Sequence, residues 1–167
     1  MQATPSPPYV LDSAICPGDV AHIRKMIDSA GVFSTEEIPV ASALAEIRMG
    51  GCDPDYHFLF ARDLDKNLLG YTCYGPIPLT EHRYNLYWVL VNPQARGLGL
   101  GRELMAETER SIREAGGQHI YVETPGTDVY LDARRFYRHH GFTEFAICKD
   151  FYRNGEDKIL FRKELGA

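Results

Sequence analysis

The chain has 167 residues, 44% of them hydrophobic and 25% charged, with a formal net charge of −5. That length suits one domain with a real core, and the composition is that of an ordinary soluble protein. The negative balance argues against non-specific nucleic-acid binding, which needs a basic surface. No apolar run approaches the ~18 residues that a membrane span requires.

Residues 1–8 carry three prolines and lack the basic and apolar regions of a signal peptide. They read as a flexible leader to a single domain over 9–167. Tyr9-Val10-Leu11 reads as a short first strand. Asp19 to Ala30 places Val20, Ile23, Ile27 and Ala30 at helical spacing, and Gly31 closes that helix. Ser34-Thr35-Glu36-Glu37 reads as the start of a second helix, running to Met49 and stopped by Gly50-Gly51. Tyr56 to Arg62 and Leu68 to Tyr74 are strands around a turn-rich loop at 63–67, and residues 75–83 are a loop. Tyr84 to Val91 is a third strand, aromatic and β-branched, stopped by Asn92-Pro93. A helix follows from about Gly101 to Ala115, with Leu104, Met105 and Ile112 on one face. His119 to Thr124 is a strand and Tyr130 to His140 a helix. Phe142 to Lys149 and Lys158 to Arg162 are the last strands, joined by the loop 153–157. This order describes a mixed α/β fold with a single central sheet flanked by helices.

Cys16, Cys52, Cys73 and Cys148 form no Cys-x-x-Cys pair and share no metal-like spacing with histidine. They read as reduced thiols of a cytoplasmic protein, with no metal site and no catalytic cysteine.

Between the 84–91 strand and the next helix stand Gly97, Gly99 and Gly101. Glycines let the backbone approach a ligand closely, and the helix start that follows offers free N–H groups and a positive dipole end. The spacing fits neither a dinucleotide fingerprint, which wants Gly-x-Gly-x-x-Gly and an acid ~20 residues on, nor a P-loop.

The segment Pro93-Gln94-Ala95-Arg96-Gly97-Leu98-Gly99-Leu100-Gly101-Arg102 resembles the pyrophosphate-binding loop of the GNAT family of N-acetyltransferases, Arg/Gln-x-x-Gly-x-Gly/Ala, through Arg96, Gly99 and Gly101. Ala133-Arg134-Arg135-Phe136-Tyr137-Arg138-His139-His140-Gly141-Phe142 resembles a second block of that family, in the right order. The resemblance implies the GNAT acyl-CoA N-acyltransferase fold and acetyl-CoA as co-substrate. It implies that the backbone of Val89, Leu90 and Val91 pairs with the pantetheine arm. It also implies that the N–H groups of Gly97, Leu98, Gly99, Leu100, Gly101 and Arg102 hold the pyrophosphate, with Arg96 opening the loop. Tyr137 matches the family tyrosine that protonates the departing thiolate; a phenol of pKa about 10 is neutral at pH 7 and can donate.

A primary amine of pKa ~10.4 is almost wholly protonated at pH 7, so a base is needed. Where some members carry a carboxylate on the central strand, this chain has Asn85. A water chain polarised by Glu123, Glu81 or His82 is the expectation, with Glu123 the catalytic candidate. In the family, the two N-terminal helices wall the acceptor cleft, which makes Phe33, Glu36 and Glu37 candidate substrate contacts. Tyr130 stands where many members carry an asparagine, and its role is open. Arg134, Arg135, Arg138, His139 and His140 form either a solvated basic face or a contact to a CoA phosphate.

The implied activity is acetyl transfer to a primary amine of a small molecule or amino acid by direct attack. The alternative is a non-catalytic acetyl-CoA sensor or interaction domain. No nucleic-acid or membrane partner is expected, and a homodimer through the C-terminal strands is possible.

Overall fold

The structure is a computed structural model and describes residues 9–51 and 55–166. The expected leader and Cys52 lie outside the described residues. Seven strands form one sheet in the order β1-β2-β3-β4-β5-β7-β6. They are β1 (Tyr9–Asp12), β2 (His57–Asp63), β3 (Leu68–Pro76), β4 (Arg83–Val91), β5 (His119–Pro125), β6 (Thr143–Arg153) and β7 (Glu156–Glu164). The helices are α1 (Asp19–Ala30), α2 (Glu37–Met49), α3 (Leu100–Glu114) and α4 (Leu131–His139).

Alternate residues of a strand face opposite sides, and β2 shows why this sheet is covered on both. Phe58 and Phe60 pack with Ile23 and Ile27 of α1 and Ala41 and Ala45 of α2, whereas Leu59 and Ala61 pack with Leu100 and Leu104 of α3. A third cluster joins Met105 and Ile112 of α3 and Tyr137 of α4 to Ile120, Val122 and Phe161 of β5 and β7. Between α3 and β3, Thr72 and Thr108 satisfy each other through a buried hydroxyl contact of 2.7 Å.

An ion cluster ties the N-terminal elements to the sheet. Arg62 of β2 donates to both carboxylate oxygens of Asp19 at 2.8 and 2.9 Å, to Asp12 at 2.9 Å and to the Ala14 carbonyl at 3.1 Å. Arg62 is 8% and Asp19 1% exposed. Burial pushes the Asp19 carboxyl up, but hydrogen bonds from Arg62 and the Cys16 N–H, with the Arg62 charge, outweigh it and hold that carboxyl below its ordinary value.

The largest boundary shift is at the C-terminal hairpin; α2 also begins later than expected, at Glu37, and β3 runs on to Pro76. β6 runs on to Arg153, past the expected end at Lys149, and β7 begins at Glu156. Its register breaks between Cys148 and Arg153, with Asp150 at φ 50, and Asn154-Gly155 makes the tight turn.

Candidate active site

The site begins where two neighbouring strands part. β4 pairs with β5 in parallel at Arg83↔His119, Tyr84↔Ile120 and Asn85↔Tyr121, and no ladder joins them beyond this point among the described residues. Each stays paired on its far side, β4 with β3 to Val91 and β5 with β7 to Pro125. A bulge marks the parting. Leu86 opposes Tyr74 and Trp88 opposes Cys73, leaving Tyr87 as the extra residue. A bulge bends its strand and strengthens its twist, which turns β4 away from β5. The edges bordering the gap carry backbone groups that a strand-like ligand could pair with, and Val89, Leu90 and Val91 lie on one of them.

At the C-terminal end of β4 the chain turns through Pro93–Ala95, with the Asn92 side chain accepting from the Gln94 N–H at 3.0 Å. The glycine loop follows. Gly97 and Gly99 have φ of 84 and 74, and a Cβ at either would meet nothing within 4 Å. Both are therefore required by backbone conformation, not by packing. Leu100 is buried against the sheet and anchors the loop from below, while Leu98 and Arg102 are exposed, Arg102 lying 3.5 Å from Glu103. Gly101 differs: a Cβ there would stand 3.1 Å from Cε2 of Phe136. A narrow cavity of about 200 Å³ runs between Val89–Val91, Arg96, Gly101 and the Ala133–Tyr137 face of α4.

That cavity continues into a trough of about 590 Å³ that reaches Phe33, Glu37, Trp88, Glu123, Tyr130 and Tyr152. Tyr137 borders both and is 7% exposed, with its ring against Phe142 and Phe161. Burial pushes its phenol well above the ordinary value, so it is protonated at any working pH. Glu123 also borders the trough, held by Lys158 at 2.6 Å.

On the opposite wall Glu37 is fixed from two sides. Its carboxylate accepts from the Ser34 N–H at 2.8 Å, and the Ser34 hydroxyl accepts from the Glu37 N–H at 3.3 Å, a reciprocal cap at the start of α2. Its other oxygen accepts from the Tyr130 hydroxyl at 2.7 Å. Phe33 packs edge-on against Trp88 at 5.5 Å and Tyr130 at 6.3 Å. Phe33, Glu37 and Tyr130 therefore form one wall, and Glu36 borders a neighbouring outer cavity.

A family pattern described as the acetyltransferase (GNAT) family matches residues 24–142, most of the chain. The chain belongs to the GNAT acetyltransferase family. A solved structure assigned to the GNAT family, from Desulfovibrio desulfuricans, is 40% identical, superposes with a TM-score of 0.89, and is matched over 95% of this chain and 99% of its own. Among curated proteins, mycothiol acetyltransferase of Thermomonospora curvata is 33% identical over 116 residues, 64% of this chain and 35% of that protein. An uncharacterized N-acetyltransferase of Methanocaldococcus jannaschii is 33% identical over 75 residues, 44% of this chain and 47% of it. The matched stretches thus span about a third and about half of the length of those two relatives.

Several expectations for this GNAT chain need correction. Glu81 and His82 lie in the turn before β4, at the end where β4 and β5 are still joined, and border neither cavity. Asn85, which replaces the carboxylate of some members, forms the last rung of that joint. The basic run on α4 is not a uniform solvated face. Arg134 is 6% exposed and donates to the Pro125 carbonyl at 2.8 Å and the Thr127 carbonyl at 2.7 Å, clamping the loop after β5 onto α4. Arg138 pairs with Glu144, and Arg135 lies 3.4 Å from Asp132. The His140 ring lies 4.1 Å from that of Phe136, tilted by 37°, with Nδ1 at 2.8 Å from the Phe136 carbonyl, and His139 is exposed. Tyr152 and Glu156, which were assigned no role from the sequence, border the cavity next to the trough. The signal for them was Asn154-Gly155, a two-residue hairpin turn that extends both flanking strands.

Proposed function

We propose that this protein transfers the acetyl group of acetyl-CoA to a primary amine of a small molecule or amino acid by direct attack. The observation that carries the reading is the continuous channel from the glycine loop, along the open edge of β4, to a polar and aromatic cleft. The cradle fits the co-substrate. Open space above Gly97 and Gly99 leaves room for a pyrophosphate on the N–H groups from Gly97 to Arg102, and Arg96 borders the channel beside them. The backbone of Val89, Leu90 and Val91 pairs with the pantetheine arm as a missing strand would.

In the reaction the amine nitrogen forms a bond to the thioester carbonyl carbon and the carbon–sulfur bond breaks. Tyr137, at the meeting of the two cavities, gives its phenolic proton to the departing sulfur. Glu123 takes the proton leaving nitrogen, through water, and solvent restores Tyr137. Phe33, Glu36 and Glu37 belong to the acceptor side.

The reading extends to a cytoplasmic setting, supported by free Cys16, Cys73 and Cys148. No described helix is long and apolar enough to cross a membrane. It also extends to a dimer through the edge strand β6, supported by exposed Phe145, Ile147 and Phe151. The test is thermal unfolding with acetyl-CoA, with ADP and NAD as controls, followed by CoA release with pooled amines. A ligand of the folded state must raise the melting point. A shift with acetyl-CoA alone and release of CoA support the transferase. A shift with no release by any amine leaves the acetyl-CoA sensor, and no shift at millimolar acetyl-CoA removes both.

A further inference from the structure

We infer that the acceptor is an aliphatic diamine or polyamine, one nitrogen of which stays charged in an aromatic-walled cavity while the other is acetylated. This rests on the reading of the channel as an acetyl-CoA site. The cavity has a volume of about 700 Å³ and lies between the start of α2, the loop after β5 and the β6–β7 hairpin. It shares Glu37, Trp88, Tyr130 and Tyr152 with the trough, so a single flexible chain could occupy both.

Its walls suit a cation. Trp88, Tyr130 and Tyr152 line it with aromatic rings, which attract a cation, and the Phe33 contacts hold Trp88 and Tyr130 as one packed unit. Glu36, Glu37 and Glu156 stand at its border. Arg153 is the one cationic side chain among the described residues lining it, and it is already committed to Glu156 at 2.7 Å. Glu37 is held in place by both Ser34 and Tyr130. The Tyr152 phenol, which borders both cavities, is pushed up to about 12, by burial first and then by the charges of Glu123, Glu37 and Glu156.

The two ends make opposite demands on nitrogen. A carboxylate beside an amine holds it as ammonium, and an ammonium has no lone pair with which to attack. At the inner end Val89, Leu90, Ala133 and Tyr137 bury the nitrogen and Arg96 adds a positive charge, both favouring the neutral amine, while Glu123 there is already paired with Lys158 at 2.6 Å and takes up the proton through water. A monoamine satisfies one end only. A diamine places a persistent charge outside and a neutral nucleophile inside. An amino acid fits less well, because its carboxylate would face Glu36 and Glu37, and the Arg153 cation is already paired with Glu156.

The experiment compares two isosteres, 4-(trimethylammonio)butan-1-amine and 5,5-dimethylhexan-1-amine, which differ in a fixed charge at the far end. Binding is read by calorimetry without co-substrate, and turnover by CoA release. The expected result is a preference of about tenfold for the charged isostere in both, with 1,4-diaminobutane well ahead of 4-aminobutanoate in turnover. In Tyr152→Leu and Glu156→Gln the ratio between the isosteres, taken within each variant, falls toward one. Taking the ratio within a variant removes any general loss of folded protein. Equal handling of the two isosteres by the wild type overturns the inference, as does turnover of 4-aminobutanoate at the diamine rate. Charged-isostere binding without turnover of any amine supports the cation cavity and sinks the transferase reading instead.

Discussion

Gly99→Ala separates the two reasons a glycine can be needed in the loop proposed to hold the pyrophosphate. Gly99 caps α3 at φ 74 and ψ 6, and a Cβ there meets nothing within 4 Å. Steric collision with the protein is therefore no part of the cost. What remains is the left-handed backbone, worth about 1–2 kcal/mol for an ordinary L-residue. For a domain of this size each kcal/mol lowers the melting point by about 2–4 °C, so a fall of about 2–8 °C is expected without ligand. If the loop relaxes to relieve that strain, its N–H groups turn from the cradle. A hydrogen bond to a charged group contributes about 1.5–3 kcal/mol, so loss of even one weakens acetyl-CoA binding by about tenfold or more. Gly99→Asn is the companion, because asparagine tolerates this conformation. It should melt closer to the wild type yet still bind poorly, since its side chain enters the ligand's space. Melting curves and calorimetric titration of both variants decide the matter. Wild-type acetyl-CoA affinity in both would refute the cradle, whatever happened to their stability.

Two further outcomes follow from contacts in the fold. Tyr137→Phe keeps the packing of the ring against Phe142 and Phe161. It should cut kcat by about a hundredfold or more with little change in acetyl-CoA binding, and steady-state kinetics showing wild-type kcat would exclude the acid role. Asp19→Ala leaves the buried Arg62 guanidinium without its main partner and should cost about 3–5 kcal/mol by chemical denaturation. Because the Asp19 carboxyl is held below its ordinary value in the folded state, its stabilisation is present above the unfolded pKa of about 3.9. It is lost as pH falls through the folded value. The wild type should therefore shed stability below about pH 4 more steeply than Asp19→Ala does, and parallel acid limbs would contradict this.

The parts of the site legible in the sequence were those encoded within a few residues. The 84–91 strand, the glycine run and the amphipathic helix after it each have a local period or a local stop, and all three stand where their patterns place them. Tyr130 and Glu37 are different. They are 93 positions apart and meet through a single 2.7 Å contact, which no local pattern encodes. The burial of Arg134 was half legible. It lies three residues before Tyr137, on the same helical face, and Tyr137 was expected to face the departing thiolate. A buried arginine needs committed acceptors, and these come from the loop at Pro125 and Thr127, whose path the sequence does not reveal. The end of β6 was misplaced because Lys149-Asp150 looks like a polar break, whereas the strand absorbs it as an irregularity and continues.

The bulge at Tyr87 ties the narrow cavity beside β4 to the aromatic wall of the trough. Leu86 and Val89 pack on the α3/α4 side, whereas Tyr87 and Trp88 both pack on the α1/α2 side. Two consecutive residues on one face is what one inserted residue produces. Removing Tyr87 would restore strict alternation, with Trp88 still on its own face and Val89 on the other. The hydrophobic phase on either side of the bulge would be unchanged, so the deletion variant should fold. What it loses is the local bend that parts β4 from β5, along with the Tyr56–Tyr87 ring contact at 5.3 Å. A straighter β4 would continue its parallel ladder past Asn85 and close the slot. The deletion variant should therefore melt cooperatively with native secondary structure yet show no rise in melting point with acetyl-CoA. A full ligand-induced shift in that variant would mean that the strands part for another reason, such as the packing of α4 between them.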